Sequence, residues 1–133
     1  MKNKVAVITG GSSGIGEALA YKFSQENFNI VITGTNKDRL NNVLSKIKKN
    51  GVSCEGVIHD ISSSNDVKKM VDISIRKFGR IDVLICNAGI SIRSLFEDLD
   101  LNTFEKLFRI NFLGTVYSVK HSLPHLIKTS GTI

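Results

Sequence analysis

Four short apolar runs rich in Val and Ile are separated by longer stretches in which apolar residues recur at helical spacing. This alternation limits the chain to repeated βα units, because only a parallel sheet with covering helices buries such strands on both faces. The runs lack strict polar alternation, as strands buried on both sides do. Strands are predicted at Lys4–Thr9, Asn29–Thr33, Ser53–His59 and Ile81–Cys86. Helices are predicted at Ile15–Glu26, Lys37–Asn50, Ser64–Phe78 and Thr103–Ile127. No linker or internal repeat interrupts the pattern. The 133 residues therefore read as one α/β domain over 1–133, a doubly wound parallel sheet.

Local signals agree with this periodicity. Thr35-x-x-Asp38, Ser63-x-x-Asp66 and Asn102-x-x-Glu105 each place a capping side chain three residues before an acid. Gly51 and Gly79 follow two helices where a left-handed stop is wanted. The last predicted helix carries Phe104, Leu107, Phe108, Ile110, Phe112, Leu113, Val116, Tyr117 and Val119, so cover is expected on two sides, from the sheet and from a further helix or second subunit. Pro124 is expected to bend or end it. Gly131-Thr132-Ile133 reads as the start of another strand.

Composition narrows the function classes. The formal charge is +6, but the basic residues are scattered among helical faces with no aromatic interleaving, so nucleic acid is not expected as a partner. Cys54 and Cys86 form no CxxC pair, and no metal site is expected. His121 and His125 stand four apart, but Ser122 replaces the glutamate of a zinc-protease helix. The apolar run after Met1-Lys2-Asn3-Lys4 is too short for a signal peptide or a membrane span, so the expected location is cytoplasmic.

The segment Thr9-Gly10-Gly11-Ser12-Ser13-Gly14-Ile15-Gly16 joins the first strand to the first helix. There, unpaired backbone N–H groups and the positive end of the helix dipole can receive a pyrophosphate. Gly10 permits a tight turn, Gly14 lets backbone meet phosphate, and Gly16 lets helix and strand approach. Ser12 and Ser13 add hydroxyl donors. Asp60 ends the third strand, where a carboxylate can accept from an adenine amino group. Asn87-Ala88-Gly89 ends the fourth with small residues against which a ribose can lie.

With Gly-x-x-x-Gly-x-Gly spacing, residues 9–16 resemble the fingerprint of the short-chain dehydrogenase/reductase family. His59-Asp60-Ile61, Cys86-Asn87-Ala88-Gly89 and Asn111 resemble three further family segments in the same order. Cys86 departs from an asparagine, which questions one structural hydrogen bond. The resemblance implies a Rossmann-like fold, incomplete after the fourth strand and its long helix, and a nicotinamide cofactor. It implies hydride transfer between that cofactor and a small carbonyl or alcohol substrate, and a homo-oligomer formed through the 103–127 helix. It also implies that Asn111 helps to hold a proton-relay water.

The end of the second strand reads Ile32-Thr33-Gly34-Thr35-Asn36-Lys37. Gly34 stands where an NAD-type acid is expected, whereas Thr35, Asn36 and Lys37 can donate to a phosphate, which favours NADP with NAD possible. Catalysis in the resembled family uses a serine and a Tyr-x-x-x-Lys. The only tyrosines are Tyr21 and Tyr117, and neither is followed by lysine at the fourth position. The chain is therefore expected to be the cofactor half of an oxidoreductase; the alternative is a catalytically inactive, truncated nucleotide-binding module. An open edge on the fourth strand and a half-covered last helix predict weak stability and self-association.

Overall fold

The computed structural model describes residues 3–133. Strands β1 (Val5–Ile8), β2 (Asn29–Gly34), β3 (Cys54–Ile58) and β4 (Val83–Ile85) form one parallel sheet in the order β3-β2-β1-β4. The connecting helices are α1 (Gly14–Gln25), α2 (Lys37–Lys48) and α3 (Ser64–Phe78), followed by α4 (Leu101–Phe108) and α5 (Gly114–Thr129). The chain winds outward from β1 to β3, then returns to place β4 on the other side of β1. A crevice therefore opens at the carboxyl ends of β1 and β4, where α/β sheets bind ligands.

Strand pleating divides the core between two faces. Ala6, Ile8, Ile30 and Ile32 pack with Ala20, Leu40, Val43 and Ile47 of α1 and α2. Val5, Val7 and Val31 point the other way, toward Val67, Met70 and Val71 of α3 and Leu126 of α5. All seven of these strand residues are fully buried, and each of the six Val and Ile side chains contributes about 1.5–3 kcal/mol by leaving water.

Asp82, just before β4, ties the strand ends together. Its carboxylate accepts the Val5 N–H at 2.8 Å and a two-pronged donation from Arg80 at 2.8 and 2.6 Å. Burial of a carboxylate is tolerated here because all the donors converge on it.

The end signals are partly shifted from expectation. Ser63 caps α3 by accepting from Asp66 N–H, and Gly79 ends that helix at φ +76°. The α2 cap is Asn36 rather than Thr35, accepting from Arg39 N–H at 2.9 Å. The α4 cap is Asp100 rather than Asn102, because its carboxylate reaches both Asn102 and Thr103 N–H. Two acceptor oxygens there outcompete one amide.

The expected single helix over 103–127 is three segments. Residues Arg109–Leu113 form a π-helical turn, with Gly114 N–H donating five residues back to Arg109. Pro124 lies inside α5 without ending it. The residue lies on the exposed face, so the Lys120 carbonyl, deprived of its helical donor, is left on the side facing water. A short 3-10 turn at Phe96–Asp98 was not anticipated. The β4 edge is also less open than expected. Thr132 N–H donates to Asp82 O at 2.9 Å and Leu84 N–H to Thr132 O at 3.0 Å, a single parallel bridge.

Candidate functional site

The β1–α1 loop and the turn after β4 are joined by one side chain from each. Thr9 is fully buried, and its Oγ1 accepts Asn87 N–H at 3.0 Å and Ala88 N–H at 3.1 Å while donating to Ile85 O at 3.3 Å. Asn87 answers by donating its amide to the carbonyls of Thr9 and Gly10, both at 3.1 Å. On the β2 side, Gly10 and Gly11 N–H donate to Thr33. Gly10 adopts φ +65°, and a Cβ there would lie 2.8 Å from Ala88 Cα. A Cβ on Gly16 would meet Gly10 O and would lie 2.5 Å from Asn87 Nδ2, so this glycine is needed for close approach.

The loop leaves donors unused. Ser13, Gly14, Ile15 and Gly16 N–H find no acceptor among the described residues, the first helical donation being Glu17 N–H to Ser13 O. Gly14, at φ +58°, has open space where its side chain would be. An anion fits this arrangement, since the free N–H groups and the dipole of a 12-residue helix converge on it.

Beside the loop lies a cavity of about 340 Å³. Of the residues expected from sequence, Gly10, Ser12, Ser13, Thr35, Asn36, Asp60, Ile61, Asn87, Ala88 and Gly89 line it. Gly14, Ile15, Gly16 and Asn111 do not: Gly16 is buried beneath the loop, Ile15 is exposed, and Gly14 borders a neighbouring groove. That groove, between α1 and α2, is larger at about 530 Å³ but is lined by Tyr21, Val43 and Ile47 and spanned by a Lys46–Glu17 ion pair. It gathers few polar groups, so the smaller cavity is the better ligand site.

Asp60 is exposed, and its Oδ1 accepts from Ser62 N–H at 2.9 Å and Ser62 Oγ–H at 2.7 Å, leaving Oδ2 for another donor. The Ile61 side chain belongs to the core and packs against Gly114, where a Cβ would lie 2.8 Å from Ile61 Cγ1. Asn111 bonds back to the loop after β4: its Oδ1 accepts Ile90 N–H at 2.9 Å, and its Nδ2 donates to Ile90 O at 2.8 Å. This reciprocal pair fixes the cavity wall from behind. Cys86 packs as a small apolar group, and burial pushes its thiol above the ordinary range.

Arg39 and His59 are among the cavity residues to which the sequence reading gave no role. Arg39 reaches the cavity from the first turn of α2. His59 lines it too, buried, with neither ring nitrogen partnered among the described residues. Burial lowers its pKa from 6.5, outweighing the opposing pull of Asp66 and Asp60. Because the folded-state value is depressed, the unfolded chain takes up this proton first as pH falls. Stability is then present above about pH 6.5 and lost below it. His59→Leu is expected to flatten the fall in melting temperature between about pH 7.5 and 5.5; an unchanged slope would assign that fall to other groups.

His121 Nε2 lies 3.0 Å from Ser64 Oγ, bridging α5 to α3. Among the described residues, no helix is long and apolar enough to cross a membrane.

A family model described as short chain dehydrogenase matches residues 4–133. The chain belongs to that family. It is 37% identical over 135 residues to an 11-beta-hydroxysteroid dehydrogenase of Pinus massoniana, covering all of this chain and 38% of that protein. It is 35% identical over 130 residues to an uncharacterized oxidoreductase of Staphylococcus epidermidis, covering 98% of this chain and 55% of the other. Similar solved structures include an NAD+-bound xylitol dehydrogenase, with TM-score 0.92 and 27% identity over 98% of this chain and 51% of that one. An alcohol dehydrogenase from the archaeon Thermococcus sibiricus, complexed with 5-hydroxy-NADP, gives TM-score 0.93 and 31% identity over 96% of this chain and 55% of its own. The chain thus spans about 38–55% of the length of these relatives.

Proposed function

We propose that the cavity at the ends of β1 and β4 binds a nicotinamide dinucleotide, NADP in preference to NAD, and that these 133 residues supply the cofactor half of a carbonyl or alcohol oxidoreductase. The observation that carries this reading is the row of unpaired N–H groups from Ser13 to Gly16, opening a helix beside a cavity at the sheet's switch point. When bound, the cofactor supplies or accepts the hydride.

The chain's own residues bind and orient it. The free N–H groups and the hydroxyls of Ser12 and Ser13 take the pyrophosphate. Asp60 Oδ2 accepts from the adenine amino group, with the Ile61 backbone beside it. Asn87, Ala88 and Gly89 present a flat backbone wall to the nicotinamide ribose. Asn111 is a positioning residue: both its amide atoms are engaged by Ile90, so a relay water is left to the main chain around the π-helical turn. Proton donation to a carbonyl oxygen needs a group of suitable pKa within hydrogen-bond reach, and the family's Tyr-x-x-x-Lys is absent from this sequence. A reducing, cytoplasmic compartment suits the two free thiols.

The exposed apolar face formed by Phe104, Phe108, Phe112 and Val116 is proposed as the contact between copies of the chain. The cofactor reading is tested by titrating the protein with NADPH and NADH and following each ligand's own fluorescence, since the chain has no Trp. NADPH is expected to bind about tenfold more tightly, roughly 1.4 kcal/mol, with no steady oxidation in the presence of carbonyl compounds. Equal or reversed affinities would overturn the NADP preference. Steady turnover would show that the chemistry is carried by these residues after all.

A further inference from the structure

We propose that Arg39 is the side chain that recognises the extra phosphate on the adenosine ribose, supplying from the first turn of α2 the positive charge that Thr35 cannot. The inference rests on the NADP reading above and assigns its specificity to one residue.

The end of β2 has no place for an acid. A Cβ on Gly34 would lie 2.6 Å from Ser12 Oγ and 2.9 Å from Ser12 Cβ, so the phosphate-loop serine occupies the space that a carboxylate at residue 34 needs. A ribose hydroxyl therefore meets no anionic acceptor from this residue, and a phosphate meets no repulsion from it. Thr35 and Asn36, the next two cavity residues, are neutral. Asn36 is also half committed, because its Oδ1 caps α2 by accepting Arg39 N–H at 2.9 Å. Only its amide N–H groups are left for a ligand.

That cap also places Arg39. It holds the residue one helical turn beyond Thr35 and Asn36, on the rim of the cavity that Ser12 and Ser13 also line. Lys37 starts the helix but does not line the cavity. The Arg39 guanidinium is exposed and takes part in none of the ion pairs among the described residues. A planar guanidinium can donate two parallel hydrogen bonds to a phosphate, which a lysine ammonium cannot reproduce. Ser12 Oγ, the Asn36 amide and Arg39 together form a donor set in which Arg39 supplies the one positive charge.

The test separates ribose phosphate from the rest of the nucleotide. The protein and its Arg39→Gln, Arg39→Lys and Lys37→Gln variants are titrated calorimetrically with 2′,5′-ADP and 5′-AMP, with circular dichroism verifying that each is folded. The parent is expected to bind 2′,5′-ADP more tightly than 5′-AMP. Arg39→Gln is expected to weaken 2′,5′-ADP about tenfold while leaving 5′-AMP unchanged, Arg39→Lys to fall between, and Lys37→Gln to match the parent. If the parent discriminates and Arg39→Gln discriminates equally well, or loses both ligands equally, Arg39 is not the reader and the NADP reading survives. A folded parent that does not discriminate overturns the NADP reading and the proposal with it.

Discussion

Gly16→Val is expected to lower the melting temperature by about 10 °C or more and to abolish dinucleotide binding, the largest effect of any single change in the loop. A Cβ at this position would overlap Gly10 O and press on Asn87 Nδ2. Those atoms cannot move independently, because Gly10 N–H is held by Thr33 and the Asn87 amide by Thr9 and Gly10 carbonyls. Overpacking against fixed groups costs about 1–3 kcal/mol and occasionally more, and here it displaces backbone on two strands' ends together. The few tenths of a kcal/mol gained in helix propensity do not offset this. Gly14→Ala provides the contrast. Its side chain would enter open space, but at φ +58° it costs about 1–2 kcal/mol of backbone strain. Thermal melts followed by circular dichroism should rank Gly16→Val well below Gly14→Ala; the reverse order would mean that conformation, not close approach, governs the loop.

Thr9→Val is expected to cost about 1–3 kcal/mol although it barely changes volume. The valine removes the oxygen that receives Asn87 and Ala88 N–H in a fully buried place. Asn87 N–H keeps the Ile85 carbonyl at 3.1 Å, but Ala88 N–H is orphaned at a cost of about 1–3 kcal/mol, and the Ile85 carbonyl loses one of its donors. Thr9→Ser keeps the oxygen and loses one buried methyl, about 0.8 kcal/mol. Urea titration should therefore place serine above valine, and cofactor affinity should follow the same order, because Thr9 and Asn87 together couple the phosphate loop to the turn after β4. A valine variant as stable as the serine variant would show that this coupling contributes little.

The βα order and all four strands were legible in the sequence because their signal is local: runs of Val and Ile, caps and glycine stops. The glycine-rich loop was legible for the same reason, since its conformational demands fall on consecutive residues. What escaped depended on contacts between segments distant in sequence. Asp82 reads as an ordinary acid until Val5 and Arg80 converge on it. Asn111 reads as a site residue, but the bonds of its amide to Ile90, twenty-one residues away, leave no local trace. The π-helical turn that carries it has no period of its own to detect. Arg39 lies on what reads as a solvated helix face, and only the start of α2 at the rim of the cavity makes it a lining residue; its spacing of three from the Asn36 cap was the available signal. The caps moved from Thr35 to Asn36 and from Asn102 to Asp100, where sequence offered several adjacent acceptors and geometry selected one.

The central claim is that the cavity at the ends of β1 and β4, rather than the larger groove between α1 and α2, is the dinucleotide site. The most direct test is to follow backbone amide chemical shifts of the protein during titration with NADP+. The largest saturable shifts are predicted at Gly10, Ser13, Gly14, Ile15, Asp60, Ala88 and Gly89. Shifts centred on Tyr21, Val43 and Lys46, or a folded protein whose loop amides do not respond to the cofactor, would contradict it.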